Sequence, residues 1–240
     1  MKRSSLAGLD AMIRRMDKEL SAKEHVRELT IPLSRETIRT CAEAIRTMRS
    51  GAESGPLLEQ ARRGAAGLRK VTARHPELYH SGTVQNALQE MAEAFILISL
   101  IKGERLPTPE SIGCTPGAYL AGMGDAIGEL RRLTQVALRK GELREAEDAL
   151  ALMEGLFSAL VLFDYPDAIA PIKHKQDVAR GLVEKTRGEV AVAARGRQLE
   201  EKIAALEKVL ADHRGFSPAA TRQKRRAASK KGRRFLSRHH

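Results

Sequence analysis

Apolar residues recur along this chain at the three- and four-residue spacing of a helix face, and β-branched alternation is rare, so almost every segment is predicted to be helical. A first helical stretch spans about Ser4 to Arg49. Pro32 is expected to bend or interrupt it, with Ser34 in SRE capping a restart. SGAESGP ends that stretch, and a second helix covers about Pro56 to Arg74 with its proline in the first turn. HPELYHSG connects, with room for one short turn, to a third helix from about Thr83 to Lys102, which Gly103 is placed to cap. ERLPTPESIGCTPG is the longest predicted loop. A fourth helix runs from about Gly117 to Lys140, and Gly141 divides it from a fifth, about Glu142 to Phe163. DYPDAIAP turns the chain into a final helix from Ile169 or Lys173 to Asp212, which ends in a stripe of Leu199, Ile203, Leu206 and Leu210. The pattern predicts an all-α domain over residues 1–212. Residues 213–240 have little to bury and are expected to form a disordered basic tail.

The fourth predicted helix carries Gly117, Ala121, Gly124 and Gly128 on adjoining turns. Interior glycines each cost about 1 kcal/mol relative to alanine, so the spacing predicts close approach of another helix. The third helix is the expected neighbour. It carries Glu90 and Glu93 in LQEMAEAFILISLI, whereas the fourth carries Asp125 and Glu129 in GDAIGELRRL. Separations of three and four residues put the members of each pair on one face. Ionised carboxylates beside apolar runs are costly unless cations or hydrogen bonds compensate them. Four of them predict a divalent cation, and a carboxylate-held cation suits phosphate chemistry. The competing reading is ordinary ion pairing, for which Arg131 and Arg132 are near at hand.

Charge sharpens this picture. The 240 residues carry a net charge of +12, and Arg214 to Arg238 contains ten basic residues and no acid, so residues 1–213 are close to neutral at about +2. Such a tail attracts polyanions. Aromatic residues make up 3% and tryptophan is absent, which leaves few base-stacking platforms and favours contacts to phosphates. Two cysteines, Cys41 and Cys114, in no metal-binding spacing, suit a reducing compartment. The most apolar run, Ala94 to Ile101, is too short to span a bilayer, and the N-terminus has no signal-peptide core, so a cytoplasmic location without a membrane is expected.

LQEMAEA, AYLAG and GDAIGELRRL, in that order, resemble the translin family, and more specifically its catalytic branch, translin-associated factor X and the archaeal translin-like endoribonucleases. PLSRETI and KHKQDVARGLVEKTRGEV are similar to that family's first long helix and last core helix, so the likeness spans about Glu24 to Val190. The resemblance implies an all-α bundle of about seven helices. It implies assembly into a hollow homo-octamer with single-stranded RNA, or DNA, bound inside. It also implies a metal-dependent endoribonuclease in which Mg²⁺ or Mn²⁺ is held by Glu90, Glu93, Asp125 and Glu129, the catalytic set. The residues from about Arg195 onward inherit nothing from it.

Other residues carry weaker signals. Arg35, Lys173, Lys175 and Arg180 are candidate RNA-phosphate contacts, and Arg131 and Arg132 follow Glu129 closely enough to join them. Glu36 reads as a first-turn acid of the restarted helix. His75, His80 and His174 show no ligand spacing. Two further functions compete with the nuclease: a non-catalytic nucleic-acid binder on the same scaffold, and an all-α nucleotide pyrophosphohydrolase. The second usually pairs E-x-x-E with a nearer E-x-x-D, whereas here D-x-x-x-E follows about thirty residues later.

Overall fold

The structure is a computed structural model that describes residues 8–215. Every regular element among the described residues is a helix: α1 (Leu9–Arg49), α2 (Gly55–Val71), α3 (Pro76–Tyr79), α4 (Gly82–Lys102), α5 (Pro109–Ile112), α6 (Pro116–Lys140), α7 (Leu143–Leu160) and α8 (Lys173–Gly215). Two of the eight are single turns. α3 fills the expected connector. α5 sits inside the stretch expected to be loop, because Thr108 caps it by accepting from the Ser111 backbone N–H and Pro109 starts it. The chain divides into two units, residues 1–190 and 191–240. Of the expected tail, residues 216–240 lie outside the described residues, and α8 runs on to Gly215.

The first unit is built around α4. Its residues Met91 to Ser99 are all buried, apolar apart from Glu93 and Ser99, as expected for a helix enclosed on all sides. α1 and α6 pack against it, with α2 on α1 and α7 on α6. Gly103 (φ 67°) and Gly141 (φ 76°) close α4 and α6 in the left-handed conformation that their positions predicted. Gln176 donates from its amide to the carbonyls of Leu160 (2.9 Å) and Phe163 (2.7 Å), which ties the start of α8 to the end of α7. Among the described residues no helix is long and apolar enough to cross a membrane.

Of the two expectations for Pro32, interruption is not found: α1 continues through it as one helix. A proline inside a helix forfeits one backbone hydrogen bond and crowds the preceding turn, at a cost of about 3 kcal/mol. The buried stripe Thr30, Ser34, Thr37, Cys41 and Ala44 continues across it, on the helix that packs against α2 and α4, and that burial outweighs the local cost. Pro32 itself faces solvent. Ser34 is consequently a buried mid-helix residue rather than a cap, and Glu36 is an exposed mid-helix acid rather than a first-turn one.

Candidate active site

The approach of α4 to α6 is set at a glycine, although not at one of the expected four. A Cβ on Gly122 would stand 2.5 Å from the Gln89 carbonyl oxygen and 2.8 Å from both the Ala92 methyl and the Glu93 nitrogen. Only a hydrogen fits there. Gly124 instead admits α8, with the Lys175 Cβ at 3.0 Å, whereas Gly117 has nothing within 4 Å and Gly128 meets only Leu182 at 3.9 Å. The small-residue pattern therefore serves two neighbours: α4 at Gly122 and α8 at Gly124.

This packing brings Glu90 and Glu93 of α4 and Asp125 and Glu129 of α6 to the wall of one cavity of about 660 Å³. Glu93 is 8% exposed, and its carboxyl is pushed up to about 7 by burial first, then by the charges of Glu90 and Asp125. Burial, followed by repulsion from Asp125, also raises Glu90. From α1, Cys41 feels the same acids: burial and then Glu90 and Glu93 hold its thiol at about 12, which makes it inert. Both cysteines are free and buried.

Cations answer the acids unevenly. The Lys175 ammonium donates to Asp125 Oδ1 at 2.5 Å, and the Gln89 amide donates to Asp125 Oδ2 at 2.6 Å. Glu129 lies between Arg49, reaching over from the end of α1, and Arg132, at 3.0 Å. Glu90 and Glu93 have no ion-pair partner of their own; Lys175, and for Glu93 also Arg132, offset only part of what burial and the neighbouring acids impose. Among the described residues, no three His, Cys, Asp or Glu side chains are gathered tightly enough, as they stand, to hold a metal ion together. The donor chemistry still suits a hard cation: four carboxylates on two adjoining helices, two of them raised by burial and then by their acidic neighbours.

The six basic residues expected at RNA phosphates separate. Lys175 and Arg132 line the cavity, and Arg132 is exposed. Arg131 also borders it, but it is 8% exposed and held by Thr186 (2.5 Å) and Glu189 (2.9 Å), so it fastens α6 to α8. Arg35 borders a separate cavity of about 620 Å³ with Arg27, Ser34 and Asn86. Lys173 lies 4.0 Å from Asp164 on an exposed surface, and Arg180 is exposed; neither lines the acidic cavity. Gln89 and Arg49 were not anticipated. Gln89 carried a readable signal, since it lies four residues before Glu93 on the acidic face. Arg49 carried none, because its partner is eighty residues away in sequence.

No protein-family model matches the chain. An uncharacterized protein of Methanocaldococcus jannaschii, MJ0175, is 30% identical over 187 residues, which cover 77% of this chain and 83% of that protein. Two solved structures, AfC3PO and its complex with duplex RNA, superpose with a TM-score of 0.69 at 29% identity, over 78% of this chain and 98–99% of theirs. The chain belongs to the translin family. A third translin-like structure, apo-NeC3PO, shares the fold at a TM-score of 0.60 and 23% identity, over 77% of this chain and 96% of its own. The fold that places the acids of this translin-family chain is thus common to all three structures.

Proposed function

We propose that this translin-family chain is a metal-dependent endoribonuclease that hydrolyses single-stranded RNA inside an oligomeric cage. The observation that carries the reading is the meeting of four acids from α4 and α6 on one cavity, with Glu93 pushed up to about 7 by burial and by its acidic neighbours. Burial and crowding only partly offset by Lys175 and Arg132 are what a divalent cation relieves, and strongly perturbed groups in a cleft mark functional sites. Mg²⁺ or Mn²⁺ would be held by Glu90, Glu93, Asp125 and Glu129. When bound, the cation supplies positive charge that polarises the phosphate and acidifies a nearby water.

The chain's own groups have separable tasks. Lys175 balances Asp125 and stands in the same cavity, where its ammonium is placed to meet a phosphate oxygen. Arg132 is free to swing toward the RNA backbone because it is exposed, while its pairing with Glu129 keeps it at the rim. Gln89 donates to Asp125 and fixes the rotation of that carboxylate, as a supporting residue does for a metal ligand. Glu93, raised to about 7 by burial and its acidic neighbours, would release its proton on taking up the cation, so metal binding should tighten as pH rises toward 7.

A second reading is a non-catalytic RNA or DNA binder. It is favoured by the pairing of Asp125 with Lys175 and of Glu129 with Arg49 and Arg132, which compensates two of the four acids from within. The AfC3PO complex with duplex RNA supports nucleic acid as the partner under either reading, and makes duplex as well as single strands worth assaying. The deciding experiment is cleavage of labelled RNA with Mg²⁺, with Mn²⁺ and with EDTA, by the native chain and by Asp125→Asn. Cutting that needs the metal and disappears in Asp125→Asn, with RNA binding and particle size retained, is expected. Binding without cutting under every metal condition would assign the binder, and full activity in Asp125→Asn would overturn the site.

A further inference from the structure

The second unit carries an apolar face that the proposed nuclease does not use. Val192, Leu199, Ile203, Leu206 and Leu210 are all exposed, between 48% and 74%. Their spacing of seven, four, three and four places them in a heptad repeat: Ile203 and Leu210 at position a, Val192, Leu199 and Leu206 at position d, and Gly196 at the remaining a. Four of the six flanking positions are charged and ordered, with Ala193 at e and Val209 at g as the two apolar ones. Arg195 and Lys202 occupy successive g positions, and Glu200 and Glu207 successive e positions, all exposed.

We infer that residues 192–210 of α8 pair with the same segment of a second copy of this chain as a parallel two-stranded coiled coil. Charge decides the orientation. In a parallel pair a g residue meets the e residue five positions on in the partner, so Arg195 meets Glu200 and Lys202 meets Glu207, each twice by symmetry. In an antiparallel pair g faces g and e faces e, which would set Arg and Lys against each other and Glu against Glu. The branched Ile203 at a, between Leu199 and Leu206 at d, favours two strands over three or four. Gly196 removes one knob, so the tight seam runs from Leu199 to Leu210. A seam this short is weak between free chains and gains when other contacts already hold two copies together, because the local concentration of the partner segment is then high. The pairing does not depend on whether the acidic cavity cuts RNA.

The test is symmetric cross-linking of the full chain. Ile203→Cys puts a thiol at an a position, which a parallel in-register pair brings face to face. Lys208→Cys puts one at f, pointing outward. Cys41 and Cys114 are buried and stay silent. Mild oxidation followed by non-reducing gels is expected to give a disulfide dimer for Ile203→Cys and several-fold less for Lys208→Cys. Adding Glu200→Lys and Glu207→Lys to Ile203→Cys should lower the yield several-fold, and adding Arg195→Glu and Lys202→Glu as well should restore it. Equal yields at positions 203 and 208, or charge reversal without effect, would overturn the inference. Asp125→Asn in the same background should leave the yield unchanged, so loss of cutting and loss of pairing are read separately.

Discussion

Glu93→Gln is expected to make the metal-free protein more stable at pH 8 and no more stable at pH 4. In the folded chain the Glu93 carboxyl holds its proton up to about 7, against an ordinary value of 4.5. Between those values the folded state binds more protons than the unfolded one, so stability falls as pH rises from about 4.5 to about 7 and levels off above. At about 1.4 kcal/mol per pH unit, charging Glu93 costs about 3 kcal/mol once both states are ionised. Glutamine keeps the shape of the protonated acid without that cost. For a domain of this size the gain corresponds to a rise in Tm of roughly 6–12 °C at pH 8. Thermal melts of both proteins at pH 4 and pH 8 in EDTA measure it. Under the metal-binding reading, adding Mg²⁺ or Mn²⁺ at pH 8 should raise the Tm of the native chain and release protons, and should do less of both for Glu93→Gln. A Glu93→Gln protein no more stable than the native one at pH 8 would refute the claim that burial and Glu90 and Asp125 hold this acid near neutrality.

Two glycines of different surroundings separate packing from helix propensity. Gly122→Ala should destabilise by about 1–3 kcal/mol, because the methyl meets the α4 backbone, whereas Gly155→Ala in α7, with nothing within 4 Å, should stabilise by up to about 1 kcal/mol. Urea unfolding decides, and a Gly122→Ala protein as stable as the native chain would show that the helices yield. Removing residues 214–240 deletes ten basic residues, so the slope of log K against log salt for single-stranded RNA should become shallower by up to about 7. Fluorescence anisotropy between 50 and 200 mM salt measures this, and an unchanged slope would assign the tail another task.

Most of the fold was legible because helix-forming composition and three- and four-residue periodicity are local properties. They placed six long helices and the glycine caps at Gly103 and Gly141, and spacing alone put Glu90 with Glu93 and Asp125 with Glu129. What sequence could not decide was which face meets which neighbour. Gly117, Ala121, Gly124 and Gly128 formed a credible stripe, yet the rotation of α6 turns Gly122 toward α4 and Gly124 toward α8. Pro32 reads as a breaker until the buried stripe on both sides of it is packed. Arg131 reads as a phosphate ligand until Thr186 and Glu189 enclose it. Lys175 and Arg49 become partners of Asp125 and Glu129 only across fifty and eighty residues of chain. Periodicity and spacing reside in neighbouring residues. The charge felt by a buried carboxylate is set by whatever the folded chain brings beside it, so only the tertiary structure decides which acids are answered and which are left crowded.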